Sequence, residues 1–226
     1  MVTVAERAVR PNRLRLEIRL VESPELIALI DGRDVLGELW DSLGPDPDLL
    51  LGPASRLIPT DEGTEVVLRV NLCGDVDCGS VWARVRGDGR DVVWDRFRWR
   101  HGVVLPALGP FRFDAAEYLD EVQRADMERD WESPDRRTGR LVAAALRSDD
   151  RLTSTGWAVS WAAPNNTAPW NSADYAPGVC VRLTRGESGI VLGFPTDRRN
   201  PEERAVKICQ AILAGDPAEW PVVERD

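Results

Sequence analysis

Apolar and polar residues alternate with a period of two in several short runs of the chain. Leu14, Leu16, Ile18 and Leu20 alternate with Arg13, Arg15, Glu17 and Arg19. Val66, Leu68, Val70 and Leu72 alternate with Val67, Arg69 and Asn71, and Val81, Ala83 and Val85 alternate with Trp82, Arg84 and Arg86. This period marks half-buried strands. Residues 91–99 add a run rich in Val, Trp and Phe, which suits a pleated sheet. Residues 66–99 therefore predict a three-stranded antiparallel meander. Upstream, residues 14–20 and 25–30 predict two strands, and Asp31-Gly32 predicts a turn from the second into a further strand at 33–36. Between this hairpin and the meander lies a proline-rich passage, with Leu49, Leu50 and Leu51 expected beneath the sheet. Residues 101–109 read as a connector.

After the meander the period becomes helical. Asp114 stands three residues before Glu117, the spacing of a capping box, and Phe113 and Tyr118 stand where a hydrophobic staple would be. The helix is predicted to run to Met127. Asp120, Glu121, Asp126, Glu128 and Asp130 make its outer side and exit acidic. Ser133 and Pro134 then suit the N-cap and first position of a second helix, with Leu141, Val142, Ala145 and Leu146 on its apolar side. Strands follow at 156–162, 179–184 and 189–194. Asn200, Pro201, Glu202 and Glu203 open a last helix that ends before Gly215. The expected fold class is α+β. A domain at 1–130 holds the antiparallel meander and one capped helix, and a domain at 131–226 has the order α-β-β-β-α, with two helices on one face of an antiparallel sheet.

The turn around Asp88-Gly89 governs what the meander's outer face carries. A two-residue turn there places Arg86 opposite Asp91 and Arg84 opposite Val93. One face then holds Val81, Ala83, Val85, Val92 and Trp94, and the other holds Trp82, Arg84, Arg86, Asp91, Asp95 and Phe97, a charged face that neutralises itself. A three-residue loop shifts the pairing by one and gathers Arg84, Arg86, Arg96 and Arg98 beside Trp82 and Trp94. That register would make a basic, aromatic patch able to hold a phosphate or a base.

Cys73 and Cys78 bracket a Cys-Gly-Asp-Val-Asp-Cys turn between the first two meander strands. They could pair as a disulfide or form part of a metal site, with Asp75 and Asp77 as neighbouring carboxylates. A zinc site usually has four Cys/His ligands. The chain has one histidine, His101, and its other cysteines, Cys180 and Cys209, sit in apolar patterns as buried small hydrophobes.

Three motifs in this half, at Cys73 to Cys78, Val92 to Phe97 and Gly109 to Tyr118, make the chain resemble a group of uncharacterised actinobacterial proteins. These share a Cys-Gly-x-x-x-Cys turn between strands, then Val-Val-Trp-x-x-Phe, then Gly-Pro-Phe-x-Phe-Asp-x-x-x-Tyr opening a helix. The resemblance covers about the first 125 residues. It implies the fold of that half and carries no activity. Members of the group often have a further cysteine near the turn, where this chain has Leu72, and that departure weakens a metal reading.

Composition narrows the function classes. The formal charge is −9, with 38 acidic against 29 basic side chains. Phosphate neutralisation wants the opposite sign, so nucleic-acid binding is disfavoured. An acidic surface instead suits solubility or steering towards a basic partner. No apolar run is long enough to span a bilayer, and the first twenty residues, roughly a signal peptide's length, lack an apolar core, so no membrane association and a cytoplasmic location are expected.

Catalytic signatures are sparse. The chain has no phosphate-binding glycine loop, no Gly-x-Ser-x-Gly elbow and no His-Glu-x-x-His. No catalytic residue, cofactor or metal is assigned, and a hydrolase working through carboxylates stays open. The favoured expectation is a non-catalytic binding protein, of inhibitor or immunity type, that masks a basic protein. Its candidate contact residues are Asp120, Glu121, Asp126 and Glu128 on the first helix, with Trp170 and Tyr175 in the long polar loop at 164–177. The alternatives are a small-ligand or metal site using Cys73, Cys78, Asp75, Asp77, Arg84 and Arg86, and a nucleic-acid surface on the meander arginines.

Overall fold

A computed structural model describes residues 10–21, 23–52, 55–72, 76–100, 102–105, 108–164, 178–197, 199–216 and 224–225. The chain divides into two compact units, residues 1–131 and 132–226.

The first unit contains two antiparallel sheets and one long helix. β1 (Leu14–Leu20) pairs with β2 (Pro24–Ile30). β3 (Thr64–Val70), β4 (Ser80–Asp88), β5 (Asp91–Trp99) and β6 (Phe111–Asp114) form a four-stranded sheet in sequence order, and α1 spans Ala115–Met127. The predicted hairpin between 25–30 and 33–36 is not present. Arg33 makes a single bridge to Ile30, and β2 takes β1 as its partner instead. The reason is charge. Asp34 is drawn to the buried Arg69 guanidinium and also accepts the Gly37 N–H at 2.8 Å, which curls the segment into turns. A fourth meander strand, β6, was hidden in the sequence because it is short and runs directly into the Asp114 cap of α1.

The apolar faces of both sheets and of α1 meet in one core that includes Leu16, Ala28, Ile30, Leu68, Val85, Trp94, Phe97, Tyr118 and Val122. Trp94 packs edge-on against Phe113 and Tyr118 at centroid distances of 5.4 and 6.2 Å. Its indole N–H donates to Tyr118 Oη at 3.2 Å, and that hydroxyl donates to the Leu57 carbonyl at 2.9 Å. Every polar atom of this relay is buried and satisfied, which is the condition for burying it. Burial also pushes the Tyr118 hydroxyl pKa well above its ordinary value.

The meander register corrects the expected pairs and keeps the expected faces. The two-residue loop is Gly89-Arg90, so Arg86 faces Val93 and Arg84 faces Asp95. Gly89 alone has a positive φ, +66°, the pattern of a type II′ turn with glycine first. The slip from the predicted register is two residues, and an even slip leaves each side chain on its own face. The parity then breaks at a β-bulge between Trp82/Arg98 and Arg84/Asp95. Arg96 occupies it at φ +51°. Beyond the bulge, Phe97 turns into the core rather than onto the charged face, and Arg98 emerges beside Trp82 at 5.3 Å from its ring centroid.

The second unit contains α2 (Pro134–Arg147), the short α3 (Asp150–Ser154), β7 (Ala158–Pro164), β8 (Gly178–Arg185), β9 (Ser188–Pro195), α4 (Pro201–Leu213) and β10 (Glu224–Arg225). The strands form an antiparallel sheet ordered β10-β9-β8-β7. Ser133 and Asn200 cap α2 and α4, accepting from Arg136 N and Glu203 N. Val142 and Leu146 of α2 join Ala205, Ile208 and Ile212 of α4 over Val179, Val181, Leu183, Ile190 and Leu192, so both long helices cover one sheet face. Gly139 permits the close approach of α2. A Cβ there would stand 3.0 Å from the Ala162 carbonyl oxygen of β7. α3 and β10 are too short to leave a periodic pattern in the sequence.

Candidate functional site: a groove of mixed charge in the first unit

The segment 10–15 runs from the edge of β6 into β1. Asn12 holds it there, its N–H donating to the Arg112 carbonyl at 2.6 Å and its side-chain oxygen accepting from Arg112 N at 3.1 Å. The Asn12 amide also donates to Asp31 at 2.7 Å, and Arg13 N donates to the same carboxylate at 2.8 Å. Those two donors, the Arg13 N–H foremost, hold the Asp31 carboxyl below its usual pKa. They also hold Asp31 in the left-handed region at φ +53°, where Asp is among the few tolerated residues.

Between this segment and α1 lies a groove of about 1100 Å³. Phe113, Tyr118 and Leu14 supply its apolar part. Arg10, Arg13 and Arg15 line one side, and Glu117, Asp120, Glu121 and Arg124 line the α1 side. Two of these seven charges are fixed by the fold. Glu121 accepts the Leu16 N–H at 2.7 Å and two N–H bonds from Arg124 at 2.9 Å, while Arg124 donates to the Leu16 carbonyl and, at 2.8 Å, to Glu128. This pair takes the place of a neighbouring strand at Leu16 and closes the outer edge of β1 there. Burial pushes the Glu121 carboxyl up, but Arg124, the Leu16 N–H and Arg15 outweigh it and hold the carboxyl below its usual range. Glu121 in turn raises the Arg124 guanidinium still further.

The acidic residues of α1 therefore fall into two groups. Glu121, Asp126 and Glu128 are structural: Asp126 accepts Gly52 N at 2.7 Å and pairs with Arg129 at 3.0 Å. Glu117 and Asp120 make no ion pair among the described residues, and neither does Arg13 across the groove. Asp120 was anticipated as a contact residue. Glu117, Arg10 and Arg13 were missed, because only the Asn12 and Asp31 bonds bring 10–15 beside α1.

The remaining candidates stand elsewhere. Arg84 is bound to Asp95 through two bonds of 2.8 Å, Arg86 reaches Asp95 at 3.2 Å, and Arg98 reaches Glu65 at 2.7 Å. Arg84, then Arg86, holds the Asp95 carboxyl below its usual pKa, against the desolvation that raises it. The alternative register, with Arg84, Arg86, Arg96 and Arg98 as a bare basic patch, is not formed. Asp77 is exposed and pairs with Arg100 at 2.8 Å, and Cys78 is exposed. Cys73, Asp75, His101, Trp170 and Tyr175 lie outside the described residues. Among the described residues no three His, Cys, Asp or Glu side chains are grouped as a metal site would need. Cys180 and Cys209 are buried, as their apolar patterns predict, and burial raises both thiol pKa values.

The second unit holds a polar cluster that the sequence did not announce. Glu132 accepts from Arg140 at 2.5 and 2.9 Å, the Thr196 hydroxyl donates to Asp135, and Asp135, Arg136 and Thr138 are buried in the first turns of α2.

Comparison with protein-family models, with curated proteins and with solved structures gives no match for this chain. No helix among the described residues is long and apolar enough to cross a membrane.

Proposed function

We propose that the chain is a non-catalytic binding protein and that its partner lies in the groove between residues 10–15 and α1. The observation that carries this is the state of the groove's charges. On the sheet face around Asp95, arginines and carboxylates are consumed by one another. In the groove, Glu117 and Asp120 on one wall and Arg13 on the other make no ion pair among the described residues. A surface of this kind favours a protein segment with basic side chains for α1, an acidic one for Arg13, and apolar area for the half-buried Leu14. Charge complementarity of this sort gives specificity and association rate more than raw affinity. The net charge of −9 favours a basic partner overall, as an inhibitor or immunity protein would mask.

The test is capture at low salt with three baits: wild type, Glu117→Gln/Asp120→Gln, and Arg13→Gln. One partner held by wild type, released by salt and reduced with both groove variants supports the reading. A partner held equally by all three baits would place binding elsewhere, and no partner for any bait would remove it.

A further inference from the structure

The outer face of the β3–β6 sheet is charged almost throughout, yet Val93, in the middle of that face, is 1% exposed. Its cross-strand neighbours are Arg86 on β4 and Arg112 on β6. The two arginines therefore flank one valine, about two strand spacings or ~10 Å apart. Residues 103–105 fold back along β5, with Leu105 N donating to the Phe97 carbonyl at 2.8 Å and Val104 bridging Arg98. Val104, Leu105, Leu108 and Pro110 wall a cavity of about 240 Å³ beside Val93. Its floor and walls are apolar, and its charged lining is Arg86, Arg96, Arg112 and Asp95.

Three of those four are committed. Arg86 is shared between Asp95 and Asp88, and Arg112 between Asp88 and Asp91. Arg96 is exposed and makes no ion pair among the described residues. It also sits at the bulge with φ +51°, a conformation that glycine would adopt without steric cost. A non-glycine residue held in that region is a strained position of the kind found at ligand sites. The bulge explains why Phe97 reaches the core. It does not explain why the residue in it is an arginine that lines the cavity.

We propose that this cavity binds a small monocarboxylate with an apolar body. Its carboxylate is held by Arg96, and its hydrocarbon part lies on the half-buried Leu105 and Leu108. Arg86 and Arg112 are neutralised by Asp88, Asp91 and Asp95, which leaves Arg96 as the cation for the ligand, and the cavity admits a body the size of a benzene ring or a short alkyl chain. A compact, fully polar anion such as phosphate would leave the apolar lining unused.

The test titrates benzoate, hexanoate and inorganic phosphate, at matched ionic strength, into the full chain carrying nitrogen-15. The arginine Nε–H signals and the backbone amides of 93–97 are followed. Benzoate or hexanoate should shift the Arg96 signals saturably, with phosphate giving little. Arg96→Gln should weaken the binding roughly tenfold to hundredfold, the worth of one charge-assisted hydrogen bond. Arg96→Gly should lose it too while keeping the bulge and a folded spectrum, which separates lost binding from lost structure. Three results would overturn the proposal: no saturable shift with either carboxylate, an equal response to phosphate, or unchanged affinity in Arg96→Gln.

Discussion

The sheet face around Asp95 and the groove beside α1 are built from the same residue types and end in opposite states. On the sheet face, Arg84 and Arg86 converge on Asp95, Arg98 meets Glu65, and Arg112 meets Asp88 and Asp91. In the groove, the ion pairs among the described residues converge on Glu121, from Arg124 and Arg15, and the Glu121–Arg124 pair is spent on the backbone of Leu16. The difference is geometric. Cross-strand neighbours on one face come within reach of each other whatever their charge. The groove walls come from a strand and a helix whose spacing is set by the apolar residues between them, so their charges need not meet. Charge in this chain thus marks structure where elements pair directly, and where they do not it is left open for the partner proposed above.

That contrast can be broken most sharply on the structural side. Tyr118→Phe leaves the buried Trp94 N–H and Leu57 carbonyl without their partner. It should cost about 1–3 kcal/mol in urea unfolding. Asp95→Ala strips Arg84 of both its bonds and should cost about 1–2 kcal/mol, without effect on capture. If Asp95→Ala reduced capture while Asp120→Asn did not, the roles assigned to the two regions would be reversed.

Acid should act on the same side. Asp95 and Glu121 both have folded pKa values below their ordinary ones. Such a group contributes stability fully above its unfolded pKa, about 4, and loses it as pH falls through the lower folded value. Wild type should therefore lose stability as pH falls below about 4. Glu121→Gln should start less stable at neutral pH and lose less below it. Identical slopes for the two proteins would contradict the strand-edge role of Glu121. The smallest stability effects belong to the groove: Asp120→Asn and Arg13→Gln should leave the urea midpoint unchanged while reducing capture.

Much of the architecture was legible because it rests on period and punctuation. The alternation in β1 and β4, the Asp114, Ser133 and Asn200 caps, and the apolar stripe of α4 all appear as read, whereas β3 is buried on both faces, Arg69 included. What was not legible depends on contacts between distant residues. Arg33 to Leu36 looks like a strand until Asp34 is seen beside Arg69, 35 residues on. The bulge at Arg96 has no glycine to announce it, and it alone decides whether Phe97 or Arg98 faces the core. The acidic run on α1 reads as one surface, yet Glu121 and Asp126 bind backbone N–H groups of Leu16 and Gly52, which no local pattern reveals.

The central claim, that the groove is the binding surface, is tested most directly by amide hydrogen exchange of the chain alone and with its captured partner. The account predicts slowed exchange confined to residues 10–16 and the exposed turns of 115–124, with β4 and β5 unchanged. Protection absent from both of those segments and present on the sheet face or in the second unit would contradict it.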